Sequence, residues 1–194
     1  MSLKKAIITV LILASVQAHA QVVLGLKGGL NVATLGTSST YKPRLSYHVG
    51  GYYSQHIEEQ YGIQIGLQYS LQGARVNNGV SGSRLSYHYL SVPILMKFYM
   101  SGSLYAEVGP QVAYLLKAQY KEEGFSEDKT SSVKRWDFLG MVGFGHETDS
   151  GGNMGLRLGI GFTNPSGASI GNEFVPRNLV LQGYIAFALK ELDR

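Results

Sequence analysis

Between Tyr61 and Gly73 the chain reads YGIQIGLQYSLQG, with Tyr61, Ile63, Ile65, Leu67, Tyr69 and Leu71 at every odd position. Glycine, glutamine and serine fill the even positions between them. Side chains of a strand alternate between its two faces, so this segment has one large apolar face and one small or polar face. About nine to eleven tilted residues carry a strand across a bilayer, and this run is long enough. A helix would need an apolar stripe of period 3.6, and nothing after residue 20 supplies one.

The same alternation recurs seven more times. It predicts strands over about Val22–Thr34, Arg44–His56, Arg84–Tyr99, Leu104–Ala118, Arg135–Glu147, Asn153–Thr163 and Asn178–Leu189. In the fourth strand the apolar phase moves from Leu85, Tyr87 and Tyr89 to Leu90, Val92, Ile94, Met96 and Phe98. A one-residue slip of that kind predicts a β-bulge, with Pro93 just beyond it. Short connections (Ile57–Gln60, Met100–Ser103, Thr148–Gly152) alternate with long ones (Leu35–Pro43, Ala74–Ser83, Gln119–Lys134, Asn164–Arg177). Barrels of the outer membrane have short turns facing the periplasm and long loops facing outside.

The N-terminus reads as an export signal. Lys4 and Lys5 precede an apolar run from Ala6 to Val16, too short to span a membrane as a helix, and Ala18-His19-Ala20 forms an A-x-A cleavage signal. The expected division is a secretory signal peptide over residues 1–20 and a β-barrel domain over residues 21–194. With no cysteine in the chain, disulfides, thiolate metal sites and a lipid-attachment cysteine are excluded. Loss of Lys4 and Lys5 takes the formal charge from +4 to +2, too weak and scattered for nucleic acid.

A soluble barrel with its apolar face turned inward would show the same alternation. Three features count against it. Charged residues make up only 15% of the chain, where soluble domains average about 25%. The small face carries glycine and glutamine rather than lysine and glutamate. Aromatic residues gather at two levels, Tyr53, Tyr61, Phe98, Phe144 and Phe187 at one and Tyr47, Tyr69, Tyr87, Tyr114 and Trp136 at the other, as membrane interfaces select. The fold class predicted is therefore all-β: an eight-stranded antiparallel up-and-down transmembrane β-barrel in a Gram-negative outer membrane.

Three segments carry a family resemblance. GLKGGLNVATL (Gly25–Leu35) is similar to the first strand of the PorT-type outer-membrane β-barrel domains common in Bacteroidetes. YLSVPILMKFY (Tyr89–Tyr99) resembles that family's fourth strand, and YAEVGPQVAYLL (Tyr105–Leu116) its fifth. The tail Lys190-Glu191-Leu192-Asp193-Arg194 departs from the pattern in lacking a terminal aromatic. The resemblance implies a small outer-membrane barrel, and it raises accessory service to type IX protein secretion as an alternative role.

Eight strands enclose a lumen just wide enough for side chains to fill. Ions buried there need partners, since an unpaired one costs several kcal/mol. The expected lumen network is Lys27, Arg44, Lys97, Glu107, Lys117, Asp137, Glu147 and Arg157, with Lys97 meeting Glu107, Lys117 near Asp137, and Glu147 near Arg157. The inward glycines are expected to make room where long side chains cross. Ser86 with His88, and Ser46 with His48, share strand faces but lack an orienting acid, so no catalytic residue is assigned. His48, His56, His88 and His146 have no ligand-like spacing, and neither a metal nor a cofactor is expected. No small-molecule substrate is identified. The expected partners are outer-membrane lipids and an envelope or secretion-machinery protein, met through the long loops. Of these, Lys117–Arg135 is mixed in charge, and Asn164–Pro176 reads as a cap.

Overall fold

The structure, a computed structural model, describes residues 22–36, 41–77, 82–101, 103–148, 151–163 and 178–192. Eight long strands form the wall: β1 (Val22–Leu35), β2 (Arg44–Glu58), β3 (Tyr61–Gln72), β4 (Arg84–Ser101), β5 (Leu104–Glu122), β6 (Trp136–Glu147), β7 (Gly152–Gly161) and β8 (Asn178–Leu192). Each pairs antiparallel with its neighbours in sequence, and β1 pairs with β8, so the sheet closes with no free edge. Register partners run from Gly62 through Lys97, Glu107, Gly143, Arg157, Gln182 and Asn31 to Ser46. Continuing the β2–β3 register, Ser46 faces Gln72, so one circuit returns to β3 displaced from residue 62 to residue 72. That stagger sets strands tilted roughly 35–45° to the barrel axis.

The alternation read from the sequence sorts into two faces. Leu26, Leu30, Leu45, Val49, Leu67, Val142, Phe144, Ile185 and Phe187 point outward and are more than half exposed, apart from neighbours along the wall. So large an apolar surface has no place in water and fits lipid. Among the described residues no helix is long and apolar enough to cross a membrane; strands make the crossing. Outward rings pair at both ends of the belt, Tyr61 with Phe98 at one and Tyr47 with Tyr69 and Tyr114 with Trp136 at the other.

Two expectations about phase are corrected. The β3–β4 register runs without a shift from Tyr61↔Phe98 to Gln72↔Tyr87, so β4 carries no bulge at Tyr89. Tyr87 and Tyr89 therefore point into the lumen and are buried, and Tyr87 is not part of the outer girdle. The bulge lies on the facing strand, where His88 pairs with Lys117 but Tyr89 pairs with Leu115, leaving Leu116 as the extra residue. One inserted residue exchanges the faces of everything beyond it.

Beyond the bulge, β4 and β5 continue past the wall as a ribbon. β5 runs to Glu122, turns at Gly124 (φ 73°), and returns as a short strand over Phe125–Asp128. Part of the Gln119–Lys134 connection is thus strand rather than loop. Gly73 ends β3 with φ 125°, and a Cβ there would strike the Leu85 carbonyl, so only glycine lets the chain leave the wall at this point. It then forms a short strand, Arg75–Val76, paired with Tyr41–Lys42 and with Arg84. The cap expected at Asn164–Pro176 lies outside the described residues.

Candidate functional site

Strand alternation delivers a continuous set of polar side chains to the lumen, and glycines opposite them give those side chains room. In the half nearer the short turns, Arg157 of β7 donates from Nε to Glu107 Oε1 and from Nη2 to Glu107 Oε2 at 2.9 Å. Both residues are almost fully buried. Between them in register sits Gly143 of β6. A Cβ at that position would lie 2.9 Å from Arg157 Cγ and 3.0 Å from Glu107 Oε1. The missing side chain is what lets a guanidinium reach over β6 to a carboxylate two strands away.

Lys97 is the register partner of Glu107, yet its Nζ bonds Glu147 Oε2 at 3.4 Å, and the Tyr99 hydroxyl donates to that same oxygen at 2.9 Å. The expected partners are therefore exchanged: Glu107 takes Arg157 and Glu147 takes Lys97. A planar guanidinium offers a carboxylate two parallel donors, while an ammonium is a single point charge on a flexible stem. The fork wins the fully enclosed carboxylate.

Lys27 of β1 lies over the Tyr184 ring at 4.0 Å and Arg157 over the same ring at 4.5 Å, while Lys97 lies over Tyr105 at 4.1 Å. With its amide oxygen turned toward the cations, Gln64 accepts from Lys27 Nζ at 2.8 Å and from Arg157 Nη2 at 3.1 Å. Tyr105 and Tyr184 share a 2.8 Å hydroxyl contact, Tyr184 donates to Glu107 at 3.1 Å, and Tyr105 donates to Asn153. Aromatic faces and neutral acceptors thus supplement two carboxylates in holding three cations.

The middle of the lumen is neutral and centred on Asn31. Its Nδ2 donates to Tyr47 O, Ser70 Oγ and Leu71 O, and its Oδ1 accepts from Gln182 Nε2 at 3.1 Å. His48 Nδ1 lies 2.7 Å from that same oxygen, which assigns the proton to Nδ1. Asp137 is buried nearby and accepts from Thr163 and from Asn178, which also donates to Gln72. Toward the loops the filling turns apolar, with Leu35, Tyr87, Tyr89, Leu95, Leu115, Leu139, Met141 and Val180 packed together.

Two of the eight expected lumen residues stand elsewhere. Lys117, displaced by the bulge at Leu116, is exposed and faces out beside His88, so it does not meet Asp137. Arg44 sits at the loop-end rim, donating to Leu85 O at 2.9 Å and Ser86 Oγ at 2.6 Å. Ser86 therefore serves Arg44, while His88 Nδ1 meets the Tyr69 hydroxyl. Among the described residues no group of histidines and acids could hold a metal ion. Beyond the rim, hydrogen bonds from the Thr130 hydroxyl and amide hold the Asp128 carboxyl below the ordinary aspartate range.

Solved structures of outer-membrane proteins are similar to this chain. Neisserial surface protein A superposes with a TM-score of 0.56 at 8% identity, over 84% of this chain and 96% of that one. Ail, the attachment invasion locus protein of Yersinia pestis, gives 0.49 at 11% identity over 88% and 99%. The Outer Membrane Protein W of E. coli gives 0.42 at 13% identity over 86% and 97%. At 8% identity the likeness to Neisserial surface protein A speaks to the fold alone. No curated protein matches the sequence. A family model described as the outer membrane protein beta-barrel domain matches residues 17–167. That match takes in most of the chain, and the protein belongs to this family of outer-membrane barrels.

Proposed function

We propose that this barrel is a non-enzymatic structural or interaction protein of the envelope, acting through its outer loops, with a lumen closed by its own side chains. The carrying observation is the ribbon of β4 and β5. These strands are 18 and 19 residues long, where about 9–11 suffice to cross a bilayer, so the surplus stands outside the membrane as an ordered surface. The closed-lumen part is supported by the braced filling from Arg157 and Glu107 up to Leu139 and Met141. A photo-crosslinker placed at exposed Phe125 should capture an envelope protein in native membranes; labelling of nothing but lipid would defeat the loop-partner reading. In planar bilayers the purified protein should stay closed, and a conductance of hundreds of picosiemens is the contrary result.

The PorT-type resemblance makes service to type IX secretion the alternative, and recovery of secretion components in the same crosslinking would favour it. Lipid A of unchanged mass after deletion of the gene supports the non-enzymatic part. Removal of residues 1–20 on export also belongs to this reading, and N-terminal sequencing beginning at Gln21 is the expected outcome.

A further inference from the structure

Four cations stand in register across the outer ribbon. Lys42 pairs with Arg75, Arg75 with Arg84, and Arg84 with Lys121. Residues directly opposite on paired strands share a face, and like charges placed so are destabilising. Yet Lys42, Arg75 and Arg84 are exposed, Lys121 is half-buried, and among the described residues none is in an ion pair with a carboxylate. The ion pairs among the described residues are Lys97–Glu147, Lys129–Glu127 and Arg157–Glu107, all elsewhere. Arg44 stands within electrostatic reach of Arg84 and Arg75, and Lys117 and Lys121 within reach of His88, so the row continues into a wider basic surface. Four acids stand near: Glu127 and Asp128 on the paired return strand, where Glu127 is taken by Lys129 and Asp128 faces Lys117 and Arg135, and Glu122 and Glu123 at the turn. With Gly82, Arg84, Lys121 and Phe125 the last two line an open cleft of about 430 Å³ at one end of the row.

Depth and direction narrow the choice of anion. Arg84 has the same strand parity as His88, Leu90 and Ile94, and the last two face lipid. His88 bonds Tyr69, which packs on Tyr47 in the outer aromatic girdle. Four residues of strand separate His88 from Arg84, about 13 Å along the strand and roughly 10 Å along the membrane normal at a tilt near 40°. That is the headgroup level of the outer leaflet, on the side that faces the lipid.

We propose that the row Lys42–Arg75–Arg84–Lys121 binds the phosphates of a phosphorylated glycolipid headgroup in the outer leaflet. Multivalent phosphate supplies the countercharge that no ion pair among the described residues provides, and guanidinium forks suit its oxygens. The inference rests on the outer-membrane placement and stands apart from the loop-partner reading.

The test is native mass spectrometry of the folded protein in neutral detergent, titrated with diphosphoryl lipid A, with the same lipid stripped of phosphate, and with inorganic pyrophosphate. Diphosphoryl lipid A should bind on the order of tenfold more tightly than the stripped lipid, the effect expected of a few charge-assisted bonds. The variant Lys42→Gln/Arg75→Gln/Arg84→Gln/Lys121→Gln should lose that preference. Lys129→Gln/Lys134→Gln should retain it. A heat-modifiable shift on gels establishes that each variant is folded, and Arg84→Gln/Lys121→Gln carries the test if the fourfold variant is not. Equal binding of both lipids, or an unchanged preference in the folded variant, would overturn the proposal. Pyrophosphate binding as tight as lipid A would overturn the lipid assignment.

Discussion

Replacing Glu107 by Gln keeps the shape of the side chain and removes one charge from the most enclosed part of the lumen. Glu107 accepts from Arg157 through both guanidinium donors and from the Tyr184 hydroxyl, at 1% exposure. In Glu107→Gln one carboxylate oxygen becomes an NH2 group that points a donor at a donor. Lys27, Lys97 and Arg157 are then left with Glu147 as the one carboxylate among the described residues of that cluster. Breaking a buried pair from one side costs about 3–5 kcal/mol, most of it the penalty of the stranded ion. Tyr184 and Gln64 still contact Arg157, which places the expectation near the lower end, at about 3 kcal/mol.

The assay is urea unfolding in lipid vesicles, read from the fluorescence of Trp136, the single tryptophan, which faces out at the loop end of β6. Glu107→Gln/Arg157→Gln removes both charges together, so its loss should fall short of the two single losses summed by about 2 kcal/mol. A Glu107→Gln loss below about 1 kcal/mol, or strict additivity in the double variant, would refute the view that this pair is a mutually dependent charge couple.

Gly145→Val should cost about 2–3 kcal/mol in the same assay, because its side chain would occupy the place of the Tyr105 hydroxyl. Ile65→Arg, on the lipid face of β3, should cost about 2–4 kcal/mol in membrane assembly if the site lies at the midplane. The adjacent Gln64→Ala withdraws a neutral acceptor from Lys27 and Arg157 and should cost about 2 kcal/mol. In the ribbon, the Asp128 carboxyl is lowered, so its hold on Thr130 is complete above the ordinary aspartate value and is lost as pH falls through the lowered one. The Thr130 amide resonance should titrate below the usual aspartate midpoint; a midpoint at or above it would contradict the bond.

The faces of the barrel were legible because period two is a strong and repetitive signal. Lys27, Lys97, Glu107, Asp137 and Arg157 each flank an outward apolar residue and are buried, while Glu147, between His146 and Thr148, is half-buried beside Lys97. Lys117 was not legible. Tyr114-Leu115-Leu116 offers three apolar residues in succession, so either phase satisfies the pattern, and the bulge at Leu116 chooses the one that turns Lys117 out. Tyr87 and Tyr89 misled for a related reason: a tyrosine suits a lipid interface and an enclosed lumen equally well. Ion-pair partners were misread because counting from a turn finds neighbours on adjacent strands, while Arg157 reaches Glu107 across the vacancy at Gly143. Only a joint reading of glycines and long side chains on non-adjacent strands carries that information.

That joint reading also explains why the inner face carries glycine and glutamine with a few strategically placed ions. Gly143 opens the way for Arg157, Gly145 for Tyr105, Gly155 for Tyr184 and Gly25 for Tyr52. Lumen side chains, Arg157 among them, tie strands that share no backbone hydrogen bonds: β5 to β7 through Glu107 and Arg157, β4 to β6 through Lys97 and Glu147, and β3 to β8 through Gln72 and Asn178. Cross-ties of this kind resist flattening of the barrel in a way that the sequential ladders cannot. They stop at the rim. Above it the ribbon is held by its own ladder, the Arg44 bonds to β4 and the Thr130 bonds to β5, and it carries the row of cations that have no ion pair among the described residues. A rigid, filled lower body with a lightly tied basic ribbon above it concentrates both chemical reach and freedom to adapt at the outer surface, where a ligand of the outer leaflet would be met.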